Sequence, residues 1–125
     1  MAGNTNIPTE TLKRLDAAVQ RWIDTKAFLF PDPTPSESAK RIGTTSAMLH
    51  KYFIEVMGED FRTFRSRLRI EEAKKLLLEK PQLPLSTVGR QVGIEDRSNF
   101  QRQFQAVTGE IPSEWRKNHQ KNLHK

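Results

Sequence analysis

No cysteine occurs in the 125 residues. This excludes a disulfide framework, a thiolate-held zinc or iron–sulfur site, and thiol catalysis. Long apolar stretches are missing too. Runs stay as short as Phe28-Leu29-Phe30 and Leu76-Leu77-Leu78, whereas a bilayer span needs about 20 such residues, and no signal-peptide core is present. Histidine is scarce: His50, His119 and His124, the last two set five apart, which is poor ligand spacing on a helix. There is no Gly-rich phosphate loop, no Gly-x-Ser-x-Gly elbow and no cluster of histidine with carboxylates. An enzyme is therefore not expected, and no metal or other cofactor is called for. Glu71-Glu72 reads instead as a charged helix face, with Lys75 within reach. No segment alternates in the manner of a half-buried strand.

What is present is positive charge. Twenty-one Lys and Arg stand against 15 Asp and Glu, for a formal net charge of +6 and a pI near 9.9. That excess fits a polyanionic partner, nucleic acid first and a membrane surface second; charge alone does not choose. At 14.5 kDa the chain has room for one domain, or for two very small subdomains.

Apolar spacing predicts an all-α fold of seven helices. Residues 1–8 are small and polar and read as a flexible arm. Leu12, Leu15, Val19, Trp22 and Ile23 mark one face of a helix over about 9–26, with Thr9 as its N-cap. Residues 28–36 hold three prolines and form a connection. Thr34-Pro35-Ser36-Glu37 is a capping box with proline at the first helical position, so a short helix should run 35–42 and end at Gly43. The next helix starts near Thr45 or Ser46, faces inward with Leu49, Tyr52, Phe53, Val56 and Met57, and stops at Gly58. A long helix over 60–79 carries Phe61, Phe64 and Leu68, then Ile70, Ala73 and Leu77. Shorter ones follow over about 84–92 and 97–108, the latter with Phe100, Phe104 and Val107 inside, and Pro112 opens the last.

The pattern repeats. At a shift of 50, Ala39, Ile42 and Gly43 fall on Gly89, Val92 and Gly93. At a shift of 51, Leu49, Phe53, Val56 and Gly58 fall on Phe100, Phe104, Val107 and Gly109, and Phe64-Arg65 on Trp115-Arg116. One extra residue therefore lies between Gly93 and Phe100. Each copy is a short helix, a Gly-containing turn and a second helix, with a small residue (Ala39, Gly89) where the second helix crosses the first: the helix-turn-helix unit. The expected organisation is a flexible arm (1–8), a first helix-turn-helix subdomain (9–58), a linking helix (59–80), a second subdomain (81–118) and a basic tail (119–125).

Two such units suit duplex DNA. A major groove admits one helix, and successive grooves on one face recur about every 34 Å. A 60–79 helix, rising about 1.5 Å per residue, is about 30 Å long and has the scale of a spacer; a slightly short spacer would bend the duplex. The outward face of the first reading helix carries Thr45, Ser46, Ala47, His50, Lys51 and Ile54. That of the second carries Arg97, Ser98, Asn99, Gln101, Arg102 and Gln105. Arg pairs with guanine O6/N7 and Asn or Gln with adenine N6/N7, so the second set is the chemically richer. Ala47 and Ile54 offer contacts to thymine methyls.

These residues resemble the DNA-binding domain of the AraC/XylS family of bacterial transcription regulators. Leu68 to Ala73 (LRIEEA) is similar to the family's central-helix signature. Gly93, Asp96, Ser98, Phe100, Arg102, Phe104, Gly109, Pro112, Trp115 and Arg116 match its second signature, G-F-x-D-x-S-x-F-x-R-x-F…G-x-x-P-x-x-[YW]-R. The resemblance covers about residues 10–117. It implies base contacts from Ala47, His50 and Lys51, and from Arg97, Ser98, Gln101 and Arg102, with Thr45 meeting a phosphate or base at a helix N-terminus and Arg69 in a structural role. Departures are Ile94 for a usual Phe, Gly89 for Ala, Ser38 for an apolar residue, Thr45 for Ser or Asn, and Gln105 for Lys; the first three suggest slightly weaker packing. The resemblance also implies a cytoplasmic activator working at promoter DNA with RNA polymerase, the isolated domain being a monomer. Family members usually carry a further sensing or dimerisation domain. In length the chain resembles the small stand-alone members, but LRIEEAK, the Trp-Arg ending and the basic tail look more like members with a larger, sometimes membrane-embedded, N-terminal part. The expectation therefore leans slightly to an excised fragment.

The rival reading is a protein–protein interaction module in a larger signalling protein, docking through the apolar face of the 9–26 helix and Phe28-Leu29-Phe30. Steep salt dependence of duplex binding separates the two. Single-stranded RNA is disfavoured by the lack of an exposed aromatic platform.

Overall fold

The computed structural model describes residues 5–123, the last three as backbone; residues 1–4 of the expected arm, and His124 and Lys125 of the expected tail, lie outside the described residues. Among those described there are seven α-helices and no strand: α1 (Thr9–Asp24), α2 (Pro35–Ile42), α3 (Ser46–Tyr52), α4 (Phe61–Glu79), α5 (Leu85–Gln91), α6 (Arg97–Thr108) and α7 (Pro112–Leu123). None is long and apolar enough to cross a membrane. The chain divides into two units, Met1–Phe28 with Asp32–Arg65, and Leu29–Pro31 with Ser66–Lys125.

In the first unit, the N-cap of α1 lies one residue earlier than expected. Pro8 occupies that position, Thr9 is already helical, and no side chain caps the helix, as suits a residue whose φ is preset. The helix ends at Asp24, short of 26, with Lys26 left-handed at φ 58°. Part of the expected flexible arm is anchored: Ile7 is 5% exposed and the Thr5 hydroxyl donates to Glu55 at 2.6 Å. The α2 cap forms as the sequence predicts, with Thr34 Oγ1 accepting from the Glu37 N–H and Gly43 left-handed at φ 100°. Thr45 caps α3 in the same way, accepting from the Met48 N–H at 3.1 Å.

The helix does not run on regularly to Met57. Residues Phe53–Met57 form a π-turn closed by Gly58 at φ 80°. Each residue of a π-turn advances less around the axis than in an α-helix, and Met57, expected inside, is 37% exposed. The core of this unit is Leu15, Val19, Trp22, Phe28, Ala39, Leu49, Tyr52, Phe53, Phe61 and Phe64. Phe53 sits 5.2 Å from Phe61 and 5.0 Å from Phe64, ring centre to ring centre. The apolar face of α1 is thus buried within the chain, and Phe28 with it.

Beside this core lies a buried polar network. The Asp32 carboxylate accepts two hydrogen bonds from Arg41 (2.9 and 3.1 Å) and one from the Ser38 hydroxyl (3.1 Å). Arg65 donates to Ser38 Oγ at 2.8 Å and to the Asp32 carbonyl at 3.4 Å. Ser38 is 1% exposed. The weaker packing expected of a serine here is therefore corrected: its hydroxyl links a carboxylate to a guanidinium.

The second unit packs Ile70, Ala73, Leu77, Val88, Val92, Ile94, Phe100, Phe104 and Trp115 into one cluster. His119 stacks on Trp115 at 4.0 Å and its Nδ1–H faces the Trp115 carbonyl at 2.8 Å, so helical structure continues into the expected tail. The repeat register holds through the turn: Thr44 N–H bonds to the Ala39 carbonyl and Ile94 N–H to the Gly89 carbonyl, both at 2.8 Å. The inserted residue therefore falls in the exposed Glu95-Asp96 stretch before α6. Weaker packing at Gly89 is also corrected. A Cβ there would lie 2.9 Å from the Ile94 carbonyl oxygen and 3.1 Å from the Phe100 ring, so the missing methyl permits a closer approach. Gly93 is doubly required, by φ 88° and by the Leu29 carbonyl 2.8 Å from a would-be Cβ.

Two stability outcomes follow from these contacts. Gly89→Ala, which on helix propensity should stabilise by about 0.5–1 kcal/mol, is expected to destabilise by about 1–3 kcal/mol through overpacking; urea denaturation decides the sign. Asp32 is held below its usual carboxylate range, first by the Arg41 hydrogen bonds, against the opposing effect of burial, and then by Ser38. Its contribution is fully present above the unfolded value near pH 4 and is lost as pH falls through the lower folded value. Asp32→Asn is expected to cost about 1–3 kcal/mol at pH 7 and to lose less stability than the wild type between pH 5 and acid, measured by denaturation at each pH.

Candidate nucleic-acid interface

In each unit the second helix of the motif turns apolar residues inward and leaves one polar row outside. On α3, Leu49 and Tyr52 are buried, while Thr45, Ala47 and His50 are exposed and Lys51 is half-buried. Ala47, His50, Lys51 and, in the π-turn, Ile54 stand at i, i+3, i+4 and i+7, the spacing of one face; Ile54 is 47% exposed. On α6, Phe100 and Phe104 are buried, and Arg97, Ser98, Gln101, Arg102 and Gln105 are exposed. Ser98, Gln101, Arg102 and Gln105 occupy the same relative places as the first row.

The two rows are held differently. Lys51 Nζ is paired with Glu55 Oε2 at 2.9 Å. Thr45 commits its hydroxyl oxygen to the Met48 N–H. His50 borders a cleft of about 250 Å³ lined also by Pro35, Ser46, Leu49, Asp60, Phe61 and Arg62. Asp60 itself accepts from the Thr63 N–H at 2.8 Å, which caps α4 and holds its carboxyl below the usual range, with His50 and Arg62 adding smaller effects.

On α6, Asn99 is half-buried. Its Oδ1 accepts from Arg102 at 3.0 Å and from Gln103 at 3.1 Å, and Gln103 Oε1 accepts from the Ser66 hydroxyl at 2.8 Å. A line of hydrogen bonds thus runs from α4 to the Arg102 guanidinium. The carbonyl end of Asn99 is engaged in orienting that arginine.

Charge is divided unevenly. The first unit has nine Lys and Arg against eight Asp and Glu, the second twelve against seven, so +5 of the net +6 belongs to the second. Within the first, Arg65 is buried and Arg41 and Lys51 are in ion pairs. Arg69 is buried, as expected of a structural residue, and donates to the Phe30 carbonyl at 2.6 Å. Arg116, the repeat partner of Arg65, donates to the Pro81 and Leu83 carbonyls at 3.1 and 3.2 Å. Sequence reasoning did not pick out Glu55 or Gln103; the i,i+4 spacings Lys51/Glu55 and Asn99/Gln103 were the available signals.

Comparison with known proteins places these features. The helix-turn-helix domain family matches residues 38–118. Among curated proteins, the arabinose operon regulatory proteins of Salmonella typhimurium and Escherichia coli are each 37% identical over 78 residues, 62% of this chain. The chain spans about a quarter of their length, 27% and 26%. Among solved structures, the C-terminal domain of the two-component response regulator yesN from Fusobacterium nucleatum superposes with a TM-score of 0.70 at 26% identity, covering 81% of this chain and 96% of that one. The C-terminal domain of AraT, a response regulator from Geobacillus stearothermophilus, superposes at 0.72 with 84% of each chain covered; at 24% identity it shows the fold alone.

Asn99→Ala is expected to weaken duplex binding by a smaller factor than Arg102→Ala, and to add little in the Arg102→Ala background. A double-mutant cycle read by fluorescence anisotropy measures that coupling.

Proposed function

The chain belongs to the AraC-type helix-turn-helix DNA-binding domains of transcription regulators, and from that premise we propose that it reads an asymmetric promoter site as a monomer, with α3 and α6 in successive major grooves. The observation that carries this reading is the repeated exposed row, Ala47/His50/Lys51 and Ser98/Gln101/Arg102, at the same place in two helix-turn-helix units of a basic chain. Phosphate contacts hold a protein in register and base edges supply the sequence information. The charge division assigns those tasks unequally. The second unit, with Arg97, Arg102 and Lys117 exposed, supplies most of the electrostatic attraction and the bidentate readout of guanine and adenine. The first unit adds the methyl group of Ala47 and the two hydrogen-bonding edges of His50.

Regulation of an operon, as named for the arabinose proteins, is the task proposed for the parent protein. Activation through RNA polymerase, and a preceding sensor, response-regulator or membrane-tethered part, complete the proposal; the matched structures are themselves C-terminal domains of response regulators. A protein-docking role is less favoured, because Val19, Trp22 and Phe28 of the surface it would use are buried and of its large apolar residues Phe30 alone, at 50%, is exposed.

The experiment is selection of bound duplexes from a random pool, followed by footprinting of the selected site at two salt concentrations. A footprint spanning two neighbouring major grooves supports the reading; protection of one groove only, or no duplex retention at low salt, overturns it. On the selected site Arg102→Ala is expected to cost about 1–3 kcal/mol and to relax preference at one position. Lys117→Ala is expected to weaken all sequences alike and to reduce the log–log salt slope by about 0.9.

A further inference from the structure

Resting on the reading of α3 as a DNA-facing helix, we propose that Glu55 is a positioning residue that holds Lys51 away from phosphate, with the segment 5–7 as the brace that keeps it in place. Lys51 lies in the middle of the exposed row of the first unit, yet its Nζ is 2.9 Å from Glu55 Oε2. An exposed i,i+4 pair is ordinarily weak, because two long side chains must be ordered to make it. Here one partner is already ordered. Glu55 Oε1 accepts the Thr5 hydroxyl at 2.6 Å. Thr5 Oγ1 in turn accepts from the Ile7 N–H at 3.2 Å, and Ile7 is buried against the unit.

The chain ahead of α1 therefore reaches the end of the first reading helix and fixes its carboxylate. Lys51 gains a partner whose rotamer is already set, and a phosphate oxygen must displace that partner to win the lysine. Among the described residues the second unit shows no such pair: Arg102, at the matching position, is oriented by the neutral amide oxygen of Asn99. A carboxylate on the first reading face and an amide on the second is the same division that the unit charges show.

The test uses the selected duplex and fluorescence anisotropy over 50–200 mM salt, with Glu55→Gln, Thr5→Ala, Lys51→Met and the Lys51→Met/Glu55→Gln double variant. All three positions are at least partly exposed, and thermal melts check that each variant folds. The proposal expects Glu55→Gln to bind more tightly and its salt slope to steepen by about 0.9, an extra loss of about threefold in affinity across that range. Thr5→Ala should move both readouts the same way by less. Neither change should survive in the double variant. An unchanged slope in Glu55→Gln overturns the proposal, as does a gain that persists without Lys51, which would mark simple removal of negative charge. Wild-type binding with a steep slope alongside either result leaves the DNA-binding reading standing; absence of wild-type duplex binding removes both.

Discussion

Each helix-turn-helix unit is closed by a guanidinium that ties its last helix to the segment before its first. Arg65 does this in the first unit, through the Ser38 hydroxyl and the Asp32 carbonyl. Arg116, its repeat partner, does it in the second through the carbonyls of Pro81 and Leu83. An arginine suits the task because its planar fork satisfies several acceptors at once and stays charged at any physiological pH. The reading helix in each unit is clamped between the two elements so joined, and its outward row can keep a fixed orientation only while the clamp holds. The two clamps are not equivalent. Arg65 is 9% exposed, and burial pushes it below its ordinary value, with Asp32 working the other way. A charge so placed needs a counter-charge, and Asp32 supplies it. Arg116 is only partly buried and manages with carbonyl oxygens.

This difference propagates outward to the electrostatics. The first unit uses Arg65 and Arg41 around Asp32, and Lys51 around Glu55, so the lysine in its outward row of Ala47, His50, Lys51 and Ile54 is paired. The second unit keeps Arg97 and Arg102 on its reading face and holds most of the chain's net charge. A duplex attracts cations by releasing its own counterions, so on the function proposed the same duplicated scaffold offers two interfaces of different character. One is suited to hold and read; the other is suited to discriminate by shape and methyl contact with a smaller electrostatic share.

Much of this was legible in the sequence because its signals are local. The capping box at Thr34–Glu37, the proline at 112 and the glycines at 43, 58, 93 and 109 set helix limits by backbone conformation alone, and all four of those glycines have positive φ. The duplication was legible because core positions repeat. The illegible parts are those fixed by groups distant in sequence. Ser38 reads as a packing defect until Arg65 and Asp32 are placed beside it. Ile7 and Thr5 read as a polar arm until Glu55, fifty residues on, is seen to hold the segment. The π-turn at Phe53–Met57 follows a faultless helical pattern, and only its closure onto Gly58 turns Met57 outward. Asn99 has the composition of a base reader, and its engagement with Arg102 and Gln103 depends on rotamers that spacing permits but does not dictate.

Gly89 and Ile94 show how the second unit tolerates two departures at once. Taken singly, a glycine in a helix loosens the backbone and an isoleucine in place of a larger ring leaves volume unfilled. Taken together they compensate. The Ile94 carbonyl and the Phe100 ring lie 2.9 and 3.1 Å from where a Cβ at 89 would stand, and Ile94 is 3% exposed within the cluster of Phe100, Phe104 and Trp115. The inserted residue is then accommodated at the solvent side of the same turn, where Glu95 and Asp96 are exposed, so α6 keeps its inward register on Phe100 and Phe104 and its outward row remains Ser98, Gln101 and Arg102.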